Sequence, residues 1–439
     1  MKASQEVLAC RRRALMDAIG EGAVALVPAA HEQIRNRDTA HPFRQASDFH
    51  YLTGLDEQDA LLALVPGRPE GEVVLWVHPR DPEYERWMGP RLGPEGVKKH
   101  HGADEAHPLD EKEAALSALF GPADRLYMSL GEDRALDDMV ISALRRFRAQ
   151  TRDGETGPTA IFDLAVPLHE QRLRKDEVEL ASLRHAVELT ADGIRAAMAI
   201  AAPGKHEYEL RAELEAVFTR GGAKRESFES IVAAGANGAV LHYPAGEAII
   251  GEDELVLVDV GAELDYLAGD LTRTFPASGR FTEAQRALYE IVLAANERAI
   301  EQTTPGVLFQ DLHDETVRIL TQGMVDAGLL DGPADDRIAD ESYRRFFPHR
   351  LGHYLGVDCH DVGRYRDRDG WRKLEAGMVI TIEPGLYVPA DAEGVDERFR
   401  GIGIRIEDVV GVTENGKDVL SAGLAKKPAE IEAVVGGSI

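Results

Sequence analysis

The stretch ELVLVDVGAELDYLAGDLTRTF, residues 254–275, sets two carboxylates, Asp259 and Asp270, into otherwise apolar, β-patterned chain. Leu255–Val260 reads as a strand carrying Asp259 near its end, and the pattern resumes over 271–275 just after Asp270. A carboxylate buried in such a ladder is costly without a positive partner, although either aspartate alone would read as a turn cap. A second cluster, PHRLGHYLGVDCHDVG, brings His349, His353 and His360 within a dozen residues, with Asp361 able to orient the imidazole of His360. The spacing from His349 to His353 copies a zinc-helix motif, but Arg350 stands where the HExxH glutamate would be, which excludes that reading. In VITIEPGLY, Glu383 closes a β-branched run ahead of the turn at Pro384-Gly385. In GIGIRIEDVV, strand alternation puts Arg405 and Glu407 on one face, Ile404 and Ile406 on the other, and points Asp408 away from Glu407.

Asp259, Asp270, His353, Glu383 and Glu407 form a carboxylate-rich set with one imidazole. Two divalent cations would balance the four carboxylates. Oxygen-dominated ligation suits Mn²⁺, with Co²⁺ and Zn²⁺ also compatible. Two neighbouring ions acidify a shared water and polarise a carbonyl, which is the chemistry of amide hydrolysis at neutral pH.

These residues need elements to hold them. At 439 residues the chain predicts two domains, with the boundary near Arg174: residues 1–174 and 175–439. The first part shows β-rich runs at 23–27, 60–65, 72–77 and 125–130, and helical stretches at 109–119 and 135–149. The polar, glycine-bearing segment 151–159 reads as a surface loop. In the second part Asp176 and Glu179 form a capping-box pair ahead of a helix whose apolar stripe runs through Leu183, Val187 and Ile194 to Pro203-Gly204. The plan recurs from Thr282 and Gln285 to Pro305-Gly306, and each Pro-Gly is followed by another helix, 207–220 and 310–327, and then by β-rich runs. This self-similarity predicts a duplicated helix-helix-sheet unit with a site between its halves. The fold class expected is α+β: an N-terminal α/β domain with a mixed sheet, then the duplicated domain.

The net charge of −27 disfavours nucleic acid and anionic membrane surfaces as partners. No apolar run approaches the ~18 residues of a membrane span, and the N-terminal residues lack the apolar core of a signal peptide. Cys10 and Cys359 stand far apart, outside any ligand-spaced cluster, so no disulfide framework is expected and a reducing cytoplasm is the natural location.

Taken together, HRLGHYLGVDCHDVG, ITIEPGLY and GIGIRIED resemble the pita-bread metallopeptidases, a group that includes methionine aminopeptidase, prolidase and aminopeptidase P. RQASDFHYLTG and RWMGPRLG resemble the N-terminal domain of the aminopeptidase P family, so the likeness covers most of the chain. It implies hydrolysis of peptides with proline in second position, releasing the first residue. It further implies that Asp259 chelates one metal, that Asp270 and Glu407 bridge both, and that His353 and Glu383 complete the second. Glu383 would carry a proton to the departing nitrogen. His242 and His360 would hold substrate or stabilise the intermediate, and His349 would line the proline pocket. Arg405 would fix the bridging carboxylates. Tyr387 and Trp87 match more weakly, Trp87 as a residue reaching a neighbouring subunit of a homodimer or homotetramer. Arg350 replaces the small residue usual after the first histidine. Prolidase is the nearest rival, distinguished by its restriction to dipeptides. A metal-free binding protein is disfavoured because all five ligand positions are filled.

Overall fold

A computed structural model describes residues 3–154, 156–244 and 246–437. The chain divides between Gln171 and Arg172 into two compact units. The N-terminal unit is built on a six-stranded mixed sheet in the spatial order Glu105–Pro108, Val73–Val77, Leu61–Leu64, Ala23–Pro28, Arg125–Tyr127, Ala160–Phe162. The apolar runs supply the interior of this sheet, and the helices Lys112–Phe120 and Arg134–Ala149 pack Leu116, Phe120, Val140 and Leu144 against Val24, Leu26 and Trp76. Of the two edge strands, Glu105–Pro108 carries no β-rich signature. Glu105–Pro108 is held by parallel pairing with Val73–Val77, and Ala160–Phe162 by parallel pairing with Arg125–Tyr127. The run expected at 125–130 is shorter than its composition suggests, because regular pairing ends at Tyr127.

The second unit repeats one plan twice. Glu177–Ile200 opens with the Asp176–Glu179 capping box, and Glu283–Gln302 opens with the equivalent Thr282–Gln285 pair. Each long helix turns at a Pro-Gly step whose glycine has positive φ, +87° at Gly204 and +89° at Gly306, a conformation that disfavours any side chain. The partner helices Glu207–Arg220 and Phe309–Asp326 then lead into antiparallel sheets. The first sheet is ordered Ile231–Ala234, Leu255–Val260, Leu271–Pro276, and the second Val379–Ile382, Asp408–Thr413, Gly416–Val419. A two-stranded ribbon, Gly385–Tyr387 with Gly403–Arg405, continues from the second sheet. Among the described residues no helix is long and apolar enough to cross a membrane.

The strand expected through residues 401–410 is broken. It pairs with Gly385–Tyr387 up to Arg405, skips Ile406 and Glu407, and resumes from Asp408 against Val379–Ile382. Its partner breaks at the matching place, between Ile382 and Gly385. Alternation survives the break, which is why the sequence pattern conceals it.

Candidate metal centre

Both breaks deliver a glutamate. Glu383 and Glu407 sit where paired strands change partners, freed from the ladder. Asn296, fully buried on the helix Glu283–Gln302, fastens this crossing: its Nδ2 donates to the carbonyls of Ile382 (3.1 Å) and Ile406 (3.2 Å), the residues immediately before the two glutamates. Its Oδ1 accepts from Lys426 Nζ at 2.8 Å, so the orientation of the amide is fixed by the chemistry of its partners. The first sheet reaches the same place through Glu407 N donating to Thr272 O and Arg405 N donating to Thr274 Oγ1. Asp259 at the end of one strand and Asp270 just before the next thereby face Glu383 and Glu407. The loop bearing His353 lies along residues 381–383, with Glu383 N donating to Leu351 O and Thr381 N to His353 O. Any side chain at Gly352 would collide with the Thr381 carbonyl, so glycine permits this approach.

The charges converge. Atoms of Asp270, His353 and Glu407 lie within 4.8 Å of one another. His353 Nε2 is 3.3 Å from Asp270 Oδ2 and 3.6 Å from Glu383 Oε1. Its Nδ1 donates to the Tyr354 carbonyl at 2.9 Å, which leaves Nε2 to face the carboxylates. Burial opposes charge on His353, but the hydrogen bond and charge of Asp270 and the charge of Glu383 prevail and push it up to about 9. Arg405 is joined to this group, donating from Nη2 to Asp259 Oδ2 (2.5 Å), from Nε to Thr272 Oγ1 (3.2 Å) and from Nη1 to Tyr387 Oη (2.9 Å). The Thr272 hydroxyl in turn donates to Glu407 Oε2 at 2.7 Å. Burial pushes the Glu383 carboxyl up to about 8, against the pull of His353 and Arg405. Burial, then the neighbouring carboxylates, raises Glu407 well above its usual range, and burial raises Asp259 despite Arg405. Asp259 Oδ1 is buried with no hydrogen-bond partner.

A cavity of about 880 Å³ opens over this cluster, lined also by His242, His349, His360, Phe228, Leu241 and Tyr365. Asp259, Asp270, His353, Glu383, Glu407 and Arg405 all border it. His349 Nδ1 donates to the Arg350 carbonyl at 2.7 Å, and its Nε2 accepts from Tyr387 Oη at 2.8 Å. Arg405, Tyr387 and His349 thus form a directional chain that requires a neutral imidazole. Burial, then the Arg405 charge, agrees by pushing His349 down to about 3. His242 and His360 are exposed on the cavity wall, and the His360 ring stands edge-on to His353 at 4.4 Å between centroids. Trp87 belongs to the N-terminal unit and is 82% exposed.

Two sequence readings change. Asp361 is turned to Arg172 Nη2 and Lys175 Nζ, both at 2.7 Å, and anchors the histidine loop by its far end. Two cations offer a buried carboxylate more than a neighbouring imidazole can. Cys359, set aside on spacing, donates from Sγ to Asp270 Oδ2 at 3.2 Å and groups with His353 and His360. Burial and the surrounding acids raise its thiol far above the usual range and keep it a donor. Thr272, Thr381 and Asn296, which orient the acids, carry no signal in the sequence, since each is an ordinary residue of its strand or helix.

Residues 181–414 match the metallopeptidase family M24, and residues 8–127 match the aminopeptidase P N-terminal domain. The chain belongs to family M24. It is 43% identical to the Xaa-Pro aminopeptidase of Escherichia coli strain K12 over 97% of this chain and 96% of that protein. The structure of Pseudomonas aeruginosa aminopeptidase PepP is similar at a TM-score of 0.97 and 45% identity, covering 99% of this chain and 98% of that one. E. coli aminopeptidase P with the inhibitor Pro-Leu is similar at 0.95 and 42%, covering 99% of both chains. The N-terminal aminopeptidase P domain followed by the M24 pita-bread domain agrees with the fold class read from the sequence. Membership of a metallopeptidase family implies divalent metal ions, and the residues of this M24 site fit them. Four carboxylates and the His353 imidazole border one cavity, and Asp259 Oδ1 is buried without a hydrogen-bond partner.

Proposed function

We propose that this M24 chain is an Xaa-Pro aminopeptidase, releasing the first residue of peptides whose second residue is proline. The observation that carries the hydrolytic reading is the convergence of Asp259, Asp270, Glu383, Glu407 and His353 on one cavity, four oxygen-donor side chains and one imidazole. The proline preference is supported by the shared name of relatives matching nearly the whole chain. Asp259 would hold one divalent ion, Asp270 and Glu407 would hold both, and His353 with Glu383 would complete the second. Mn²⁺ suits this oxygen-rich set best, with Co²⁺ or Zn²⁺ as substitutes. When bound, the ions supply Lewis acidity toward the substrate carbonyl and acidify water.

The chain's own groups account for the rest. Glu383 accepts a proton from the attacking water and passes it to the proline nitrogen as the C–N bond breaks. Its carboxylate borders the cavity next to His353, with Oε1 3.6 Å from His353 Nε2. His242 and His360, on the cavity wall, donate toward the carbonyl oxygen as it gains charge. The neutral ring of His349, locked by Tyr387, offers a flat apolar face to the proline ring. That ring closes a tertiary amide with no N–H to recognise. Arg405 keeps Asp259 and the Thr272–Glu407 pair in register. Residues 175–439 carry this chemistry, and residues 1–174 form the aminopeptidase P-type domain. Trp87, exposed on that domain, is proposed to complete a neighbouring subunit's site in a homodimer or homotetramer acting in the cytoplasm.

The test is cleavage by the purified, Mn²⁺-loaded protein of Ala-Pro-Ala and of the dipeptide Ala-Pro, with and without chelator. Chelator-sensitive release of alanine from the tripeptide is expected. Cleavage confined to the dipeptide would make the protein a prolidase, and cleavage of neither would overturn the enzymatic reading.

A further inference from the structure

The rim of the cavity carries a guanidinium that the reaction does not use. Arg350 lines the cavity beside His349 and is exposed. Its Nη2 donates to Gln310 Oε1, a neutral acceptor, and its guanidinium centre lies 5.1 Å from the ring of Trp371. Arg366 approaches the same ring at 5.8 Å. The indole is fixed by a β-bridge between Arg366 and Trp371, closed by a turn in which Asp367 N donates to Gly370 O at 2.9 Å. Asp367 Oδ1 is occupied by the backbone N–H groups of Asp369 and Gly370. Among the described residues no carboxylate forms an ion pair with Arg350, Arg364, Arg366 or Arg368, although the chain carries a net charge of −27. A neutral amide and an aromatic face hold a cation in place without neutralising it.

We propose that Arg350, steadied by Gln310 and Trp371, selects peptides bearing a carboxylate on the C-terminal side of the proline. The inference rests on the Xaa-Pro reading and deepens it. The floor of the cavity is acidic, while its exposed edge carries Arg350 as well as Glu229, so Arg350 is the group there that can draw a downstream carboxylate. His349 is proposed to meet the proline, and Arg350, next in the chain, borders the same cavity, which makes its long side chain the candidate partner for the residue after proline. The carboxylate can be an acidic side chain there or the free terminus of a tripeptide. Both present the same planar acceptor to the guanidinium fork.

The experiment compares kcat/KM at low ionic strength for Ala-Pro-Glu amide, Ala-Pro-Lys amide, Ala-Pro-Ala amide and Ala-Pro-Ala free acid. Calorimetric affinities of Pro-Glu amide and Pro-Gln amide are measured alongside. The expected result is a preference of roughly tenfold for the glutamyl over the lysyl peptide, weakening as salt screens the rim. The Arg350→Gln variant should bring that ratio close to one, Arg350→Lys should keep only part of it, and Arg350→Glu should invert it. The free-acid and amide arms distinguish terminal from side-chain recognition, and a preference in either supports the proposal. Equal cleavage of all four peptides, with equal affinity for the two proline amides, would overturn the role of Arg350 and leave the Xaa-Pro reading standing. Failure to cleave any of the four would overturn that reading and this inference with it.

Discussion

Asn296 offers the sharpest test of how this centre is assembled. Its amide donates to the carbonyls of Ile382 and Ile406 and accepts from Lys426, all out of contact with solvent at Asn296 itself. Replacing it with alanine leaves two carbonyls without that donor and removes one acceptor from an ammonium. At about 1–3 kcal/mol for each buried group left unsatisfied, the loss is on the order of 3–5 kcal/mol once relaxation is allowed. Lys426 also reaches Asp408 Oδ2 at 2.8 Å and so is not stranded, which places the estimate at the low end. For a unit of this size the loss corresponds to a fall of roughly 10 °C in the melting transition. Because the two carbonyls immediately precede Glu383 and Glu407, Asn296→Ala should also weaken Mn²⁺ binding, by about 10- to 100-fold in a calorimetric titration of metal-free protein. Asn296→Asp separates the roles: it keeps an acceptor for Lys426 but removes both donors, and should weaken metal binding as alanine does. Native metal affinity in both variants, or a stability change under about 1 kcal/mol, would refute the assignment of Asn296 as the fastener of the crossing.

Three other outcomes follow from the same geometry. Asp270→Ala should abolish hydrolysis and Mn²⁺ uptake while leaving the circular dichroism spectrum native; full activity would sink the two-metal assignment. Tyr387→Phe breaks the chain from Arg405 to His349 and should lower kcat/KM about 10- to 100-fold and cost about 1–3 kcal/mol of stability, while a drop in kcat/KM below threefold would show that His349 holds its place unaided. Asp361→Ala removes the carboxylate partner of Lys175 and one of the two that Arg172 holds, the other being Asp358, and should cost about 3 kcal/mol at pH 7. Burial alone would raise the Asp361 carboxyl, but Lys175 and Arg172 hold it below its usual value, so its stabilisation is complete above the unfolded pKa of about 3.9 and is lost as pH falls through the folded value. Denaturant titrations should therefore show a constant wild-type advantage from about pH 5 to pH 8 that shrinks only in stronger acid.

The acids of the centre were legible because each violates its surroundings. Asp259 interrupts an apolar strand, Glu383 ends one, and Glu407 stands within an alternating run, and such violations call for a compensating charge. The repeated helix pairs were legible for a different reason: capping boxes and Pro-Gly stops are local, and a backbone terminus must be satisfied by nearby residues. The strand Glu105–Pro108 was not, since its composition gives no β signal and its pairing comes from a partner about thirty residues away.

What the sequence could not disclose is the orienting layer, and the reason lies in where hydrogen bonds find their partners. Asn296 works across 86 and 110 residues of chain, and Thr272 joins Glu407 across 135. An asparagine in a helix or a threonine in a strand has the same local pattern whether it faces solvent or fixes a glutamate. The break at Ile406–Glu407 was hidden for a related reason, because alternation reports which face a side chain occupies and not which strand its backbone pairs with. Yet that exchange of partners releases Glu383 and Glu407 from the ladder, and Asn296 restores hydrogen bonds to the carbonyls beside them. The charges that perform the chemistry are therefore written in local pattern. Their aim is set by neutral groups whose role exists only once the two halves of the duplicated unit have closed on each other.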